Sequence, residues 1–440
     1  MKLFGTSGIR MKNLHPKIAY KVGLVLGEKY RNILIGRDTR TTGKMLESSL
    51  ISGILQSGGN AILSNIVPTP VLGFNAKYYD VGVMITASHN PGEYNGIKIF
   101  KKDGISLNKK EEEEIENNIN KEFEVNWKIV GKCYNDNQTI KRYKEFILNK
   151  VEIEKEHNIL VDCGNGAGSL VSPYLLKDVG CNLISINSHI DGRFSRVPEP
   201  SEEHLKETME IAKALNRLCI VHDGDADRVG VIDEKGRFSD FDKLMAIFCK
   251  FLVEKYNIKK IVTTVDSSII LDNILKDYNV EIYRTKVGDV YVSEEMIKRN
   301  AKFGCEPSGT WIHGDIHLTP DGILSGLRIL EMLEFYNSPL YKLLDSVKSY
   351  INIREKIYCK NELKDKVMNY IIENGEKVFK TKPEIVDGAR FNLDDGWILI
   401  RPSGTEEYIR IRVEAKTKEL AKSLLDKGIK LVKEAIQTFE

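Results

Sequence analysis

The 440-residue sequence has no apolar stretch approaching a membrane span, no C-x-x-C pair and no marked excess of charge of either sign. Without a run of about 20 apolar residues there is nothing to cross a bilayer, so a membrane partner is not expected. The 65 Lys and Arg and 63 Asp and Glu are interspersed, leave a formal charge of +2, and gather into no basic face or tail for nucleic acid. The seven cysteines (133, 163, 181, 219, 249, 305 and 359) are odd in number and scattered, which suits buried apolar fillers in a reducing compartment. The opening Met1-Lys2-Leu3-Phe4-Gly5-Thr6 reaches glycine and polar residues too early for a signal-peptide core, so a cytoplasmic location is expected.

What is there is an ordinary globular composition, 42% hydrophobic and 29% charged, on a chain too long for one core. Length alone argues for roughly two to four domains. A pattern then occurs three times. Its opening strands are Asn32-Ile33-Leu34-Ile35-Gly36, Asn158-Ile159-Leu160-Val161-Asp162 and Lys260-Ile261-Val262-Thr263-Thr264-Val265, apolar and β-branched, as suits strands covered on both faces. Second strands are expected at 61–63, 183–186 and 280–283, and a third in each unit leads into a polar loop. Those loops are Thr86 to Pro91, Asp223 to Arg228 and Cys305 to Thr310. Ligands bind at the carboxyl ends of strands in open α/β sheets, so the loops are expected to converge. A fourth section, with a hairpin turn at Asp394-Asp395, a strand carrying Arg401 to Thr405 and a long amphipathic C-terminal helix, reads as a small α+β domain. The fold class is therefore α/β, three similar mixed α/β domains plus a C-terminal α+β domain around a central cleft, with boundaries expected at 1–149, 150–247, 248–347 and 348–440. The charged run from Lys109 to Glu114 reads as a solvated helix face.

The loops carry the chemistry. Asp223, Asp225 and Asp227 alternate, which on extended backbone aims three carboxylates at one point, and so many anions together call for a hard cation such as Mg²⁺. An acidic surface turn is the plain alternative. A calcium loop lacks the glutamate that an EF-hand requires. Ser88, after the strand Val81 to Ile85 and beside His89, needs activation or a phosphoryl group to be reactive; by itself it would also suit a helix N-cap. A phosphoserine there would be neutralised by the cation and by Arg10 and Lys98. Arg401, Ser403, Gly404 and Thr405 suit a phosphate dianion, with Arg410 and Arg412 following on the same strand to add charge. Glu306 and Ser308 are placed to bond vicinal hydroxyls.

Together these words of sequence resemble the α-D-phosphohexomutase family, from Gly5 to the last helix. Thr86-Ala87-Ser88-His89-Asn90-Pro91 resembles its phosphoserine loop, Asp223-Gly224-Asp225-Ala226-Asp227-Arg228 its metal loop, Cys305-Glu306-Pro307-Ser308-Gly309 its sugar loop and Arg401-Pro402-Ser403-Gly404-Thr405 its phosphate loop. The opening Phe4 to Arg10 and the Gly36-Arg37-Asp38-Thr39-Arg40 turn are also typical of it. The resemblance implies that phosphorylated Ser88 donates to a sugar monophosphate and recovers the other phosphoryl group from the resulting bisphosphate, with a trace of sugar bisphosphate as activator. It implies Mg²⁺ on Ser88 phosphate, Asp223, Asp225 and Asp227, catalytic support from Arg10, His89 and Arg228, proton transfer or charge support from Lys98, and substrate contacts at Lys286, Gly288 and Asp289. The partner is then a small phosphosugar, and the enzyme a monomer or homodimer.

Where many bacterial relatives place a terminal histidine in the sugar loop, this chain has Thr310, with His313 downstream as a stand-in. The wording Glu306 to Ile312 is more like archaeal members acting on glucosamine phosphates than like those acting on mannose phosphate. Interconversion of glucosamine 6-phosphate and glucosamine 1-phosphate is expected, the alternative being broad mannose and glucose phosphate specificity. A phosphatase and a catalytically silent sensor fit less well, because a dedicated sugar loop and every essential group are present.

Overall fold

The structure, a computed structural model, describes residues 3–5, 8–403 and 406–440. The chain divides into two compact units, Met1–Phe241 with Gly288–Leu344, and Asp242–Val287 with Asp345–Glu440. Among the described residues no helix is long and apolar enough to cross a membrane.

The first unit is built on a six-stranded sheet and a four-stranded sheet. In the six-stranded sheet, Asn32–Arg37 lies between Asn60–Ile66 and Val81–Ile85, parallel to both, and Tyr94–Phe100 returns antiparallel against Val81–Ile85. The four-stranded sheet repeats this plan: Asn158–Asp162 lies parallel to Asn182–Ile186 and Leu218–His222, and Val229–Ile232 returns antiparallel. Two of the three units expected from sequence therefore repeat one plan strand for strand. The central strands are apolar and buried, as parallel strands covered on both faces must be. The remaining segment of this unit contributes the helices Asp289–Arg299 and Gly322–Tyr336 and the antiparallel strands Phe303–Cys305 and Trp311–His313.

Each loaded loop follows one of these strands. Ser88 starts no helix, since the next element is the strand Tyr94–Phe100, so the N-cap reading falls away. Of the charged helix Lys109–Asn118, most of the surface is solvated as expected, but Glu112 is buried. Six cysteines are buried and Cys133 is exposed.

In the second unit Lys260–Thr264 pairs parallel with Glu281–Thr285, and a five-stranded antiparallel sheet runs in the spatial order Ile351–Tyr358, Tyr408–Ala415, Gly396–Pro402, Ala389–Leu393, Glu384–Ile385. The helices Lys364–Phe379 and Lys418–Phe439 cover it, the latter burying Leu424, Val432 and Ile436 as its periodicity predicts.

In the first unit, Pro16–Lys29 and Gly43–Gln56 cross with backbones in contact. A Cβ added at Gly23 would lie 2.2 Å from the Leu50 carbonyl oxygen, and one at Gly53 2.1 Å from that of Tyr20. Alanine there gains helix propensity but meets backbone that cannot swing aside. Gly53→Ala is expected to lower unfolding free energy by about 2 kcal/mol, since overpacking outweighs the propensity gain of about 1 kcal/mol; urea titration followed by circular dichroism measures it.

Candidate active site

Asp223, Asp225 and Asp227 each offer a carboxylate oxygen within 4.8 Å of the others, and all three residues are buried. They do not converge on extended backbone, as the alternation suggested. The strand Leu218–His222 ends before them and the chain turns, with Ala226 in the left-handed region at φ 58°. Two unit charges 4 Å apart repel by about 4 kcal/mol at an effective dielectric of 20, more than one hydrogen bond returns. Burial, then the charges of Asp227 and Asp225, push the Asp223 carboxyl well above its ordinary range, with Arg228 and the Ser88 hydroxyl opposing. Burial and then Asp225 push Asp227 up to about 6. The Oδ1 atoms of Asp225 and Asp227 are buried with no hydrogen-bond partner. Orphaned carboxylate oxygens beside a third carboxylate are the donor set a hard divalent cation takes, so the residues present fit such an ion.

The serine loop meets this cluster directly. Ser88 Oγ donates to Asp223 Oδ2 at 2.7 Å, and a Cβ on Gly224 would lie 2.6 Å from the Ser88 carbonyl oxygen, so the two loops touch backbone to backbone. Ser88 itself is left-handed at φ 50°, a conformation that a non-glycine residue keeps only when its surroundings enforce it. The enforcing group is Arg40. Its Nη1 donates to the carbonyls of Pro91 and Tyr94, its Nη2 to those of Ser88 and Asn90, and its Nε to Asp38. Asp38 also accepts from the Thr86 hydroxyl, whose oxygen in turn accepts the Ser88 N–H.

Cations line the same place. Lys98 is buried on Tyr94–Phe100, 2.8 Å from Asp289 and 3.9 Å from Asp227. Burial pulls its pKa down, but Asp289 and then Asp227 outweigh it and the net shift is upward, so Lys98 is a fixed positive charge and not a proton donor poised near neutrality. Arg10 Nη1 reaches Asn90 Oδ1 at 3.4 Å, and the Arg228 N–H donates to Asp223 Oδ1 at 3.4 Å. His89 Nδ1 lies 3.3 Å from Ser88 Oγ; burial, then Arg228, Arg10 and Arg40, lower its pKa to about 2, so the imidazole is neutral.

The sugar-loop residues join this group. Arg228 bridges Thr310, the Val229 N–H donates to the Gly309 carbonyl, and Glu306 Oε1 accepts the Gly288 N–H at 3.1 Å. Ser308 and Thr310 hydroxyls lie 3.1 Å apart. His313 is not a stand-in for the missing histidine: it is fully buried, with Ser325 on Nε2 and Arg328 on Nδ1.

In the second unit, Arg401 and Arg410 line a cavity of about 450 Å³. Arg410 and Arg412 are not on the strand of Arg401, as the sequence suggested. They sit on the neighbouring strand Tyr408–Ala415, with Arg410 directly opposite Arg401. Ser403 is buried at the turn between the strands, and its Oγ accepts the Glu406 N–H. Gly404 and Thr405 lie outside the described residues. Lys286 directly follows the strand Glu281–Thr285 in this unit, and its carbonyl accepts the Thr285 hydroxyl.

Sequence reasoning missed two supports. Arg40 stood in a turn noted as typical of the family but given no role. Thr69 gave no signal at all, yet its Oγ1 donates to Asp225 Oδ2 at 2.6 Å and its N–H to the Asp225 carbonyl.

Comparison with known proteins agrees along the whole chain. The phosphoglucomutase/phosphomannomutase alpha/beta/alpha domains I, II and III match residues 1–126, 141–236 and 240–350, and the C-terminal domain matches 357–430. A phosphoglucosamine mutase of Methanocaldococcus jannaschii is 64% identical over 443 residues, 99% of each chain. One of Methanococcus aeolicus is 55% identical over 448 residues, again 99% of each. The crystal structure of a phosphoglucomutase/phosphomannomutase family protein from Burkholderia thailandensis superposes with a TM-score of 0.88 at 24% identity, covering 99% of this chain and 97% of that one, and shows the shared fold.

The contact between Gly224 and Ser88 is testable. Gly224→Ala is expected to displace Ser88 from Asp223 and cut kcat by roughly 100-fold, the cost of a misplacement near 1 Å, with the circular dichroism spectrum unchanged; steady-state kinetics would show it.

Proposed function

The chain belongs to the phosphoglucomutase/phosphomannomutase family, and from that premise we propose that it interconverts glucosamine 6-phosphate and glucosamine 1-phosphate through a phosphorylated Ser88. The observation that carries the proposal is the Ser88 hydroxyl hydrogen-bonded to the first of three buried carboxylates gathered within 4.8 Å of one another. The names of the two archaeal relatives given above, phosphoglucosamine mutases at 64% and 55% identity, support the amino sugar as substrate.

Phosphoryl transfer asks the protein for placement and for charge neutralisation, with little covalent work of its own. Ser88 carries the phosphoryl group. The Ser88 O–P bond breaks as a bond forms from phosphorus to the free hydroxyl oxygen of the sugar monophosphate, and the proton lost by that hydroxyl is balanced by the proton that Ser88 Oγ takes up as it leaves. The bisphosphate turns over, and its other phosphoryl group returns to Ser88. Asp223, Asp225 and Asp227, with the Ser88 phosphate, would hold Mg²⁺, which when bound supplies positive charge against the phosphoryl oxygens. Lys98, Arg10 and Arg228 add fixed charge around the same group. Neutral His89 stands beside Ser88 Oγ as a hydrogen-bond partner. Glu306 and Ser308 take the sugar hydroxyls, with Gly288 holding Glu306 in place and Asp289 holding Lys98. In the second unit, Arg401, Ser403, Gly404, Thr405 and Arg410 take the phosphate that does not react, and Lys286 contacts the substrate. A trace of sugar bisphosphate primes Ser88.

Intact mass of the purified protein is expected to show a fraction carrying one phosphoryl group, absent from Ser88→Ala, whose kcat falls by at least about 10⁴-fold, as for removal of other covalent nucleophiles. A Ser88→Ala enzyme that kept its activity would end the mechanism. Turnover of glucosamine 6-phosphate is expected to exceed that of glucose 1-phosphate and mannose 1-phosphate, with no phosphate released; preference for a neutral sugar would instead support the broad-specificity reading. Chelation of divalent metal is expected to abolish activity and Mg²⁺ to restore it, while Asp225→Asn weakens Mg²⁺ binding in calorimetry.

A further inference from the structure

The cavity of the second unit carries more positive charge than the phosphate loop needs, and the excess sits on a strand with no assigned role. Ile351–Tyr358 is the edge strand of the five-stranded sheet, antiparallel to Tyr408–Ala415. The register sets Lys356 opposite Arg410, which is itself opposite Arg401, and sets Arg354 opposite Arg412. Like charges directly opposite on neighbouring strands, with Cβ atoms about 5 Å apart, are destabilising, so anions placed near such a block stabilise it.

Protein carboxylates neutralise part of the block. Arg401 is 2.7 Å from Asp387, Arg410 is 2.9 Å from Glu406, and Arg412 is 3.3 Å from both Asp242 and Asp266. Arg354 and Lys356 line the same cavity with no carboxylate bonded to either side chain among the described residues. The Lys356 ammonium lies over the Tyr408 ring, 4.6 Å from its centroid, and the Arg354 guanidinium makes no hydrogen bond at all among them. Burial and then the charge of Arg412 lower its pKa, with the charges of Asp266 and Asp242 opposing. Asp266, Glu355 and Glu406 line the cavity too, but Arg354 and Lys356 are the two cations of its lining with no bonded carboxylate among the described residues, and their charge matches that of one phosphate dianion.

We infer that Arg354, assisted by Lys356, is a further phosphate-binding residue of this cavity, its free guanidinium fork taking the substrate's non-reacting phosphate alongside Arg401. The inference rests on the proposed function, in that the same cavity must be the phosphate anchor.

The test uses the full-length enzyme and the variants Arg354→Gln, Arg354→Lys and Arg401→Gln. Losing a charge-assisted hydrogen bond is expected to raise KM for glucosamine 6-phosphate by roughly 10-fold or more in Arg354→Gln, with kcat little changed. Arg354→Lys recovers part of the loss, because it restores charge without the two-pronged geometry. Without ligand, the melting temperature of Arg354→Gln stays at or above that of the parent, since a like-charge pair has been removed, while inorganic phosphate raises it less than in the parent. If Arg354→Gln keeps the parent's KM and phosphate response while Arg401→Gln loses both, the inference is wrong and the anchoring role of the cavity stands. If Arg401→Gln is also unchanged, the cavity is not the phosphate anchor and the proposed function loses that part. A drop in kcat at unchanged KM would likewise overturn the role given to Arg354.

Discussion

Three carboxylates buried within 4.8 Å of one another are the constraint around which the first unit is organised. Such a cluster cannot all be ionised in a dry interior without positive charge, and the chain answers with Lys98, Arg228 and space for a hard cation. Everything that touches the cluster is tightly held. Thr69 braces Asp225 through both its hydroxyl and its N–H, Lys98 is locked by Asp289, and Ser88 is kept in a left-handed conformation against Asp223. A site meant to neutralise a dianion loses most if its dipoles must reorganise, so this rigidity is part of the chemistry.

One device recurs in both units: buried or half-buried cations gather the carbonyls of functional loops. Arg40 takes four carbonyls from the serine loop, and Arg196 takes those of Val197, Pro198 and His222 beside the metal loop. In the second unit Lys364 takes those of Ser403 and Glu406 around the phosphate turn, and Arg390 those of Val265 and Ser267. A loop that turns N–H groups toward an anion must turn carbonyls the other way, and buried carbonyls need donors. Arginine and lysine supply several donors each, so one side chain fixes a whole turn. The Arg40 charge is in turn balanced by buried Asp38, and its guanidinium packs on Phe194. That satisfies the conditions under which a buried ion pair is tolerated.

Much of this was legible before any coordinates. The three apolar openings at Asn32, Asn158 and Lys260 are strands, and in the first unit two sheets repeat one plan. The serine, metal and sugar loops lie together in the first unit. The readings that failed did so where local periodicity was extended beyond a strand end. Asp223 to Asp227 converge by a turn because Ala226 goes left-handed, and Arg410 and Arg412 belong to the next strand because the chain reverses after Ser403. His313, one strand past the sugar loop, points its ring into the core, where Ser325 and Arg328 hold it.

The amino-acid sequence by itself determined the residue types that carry the chemistry, their order along the chain and the repeated α/β plan, because strand pattern and loop composition are local properties. Only the tertiary structure decided which distant groups support them. Thr69 reaches Asp225 across 156 positions, Arg40 reaches the serine loop across about fifty, and Arg354 faces Arg412 through strand register. Such partners are chosen by register, twist and packing, which depend on contacts among segments far apart in the chain, and no spacing within any one segment encodes them.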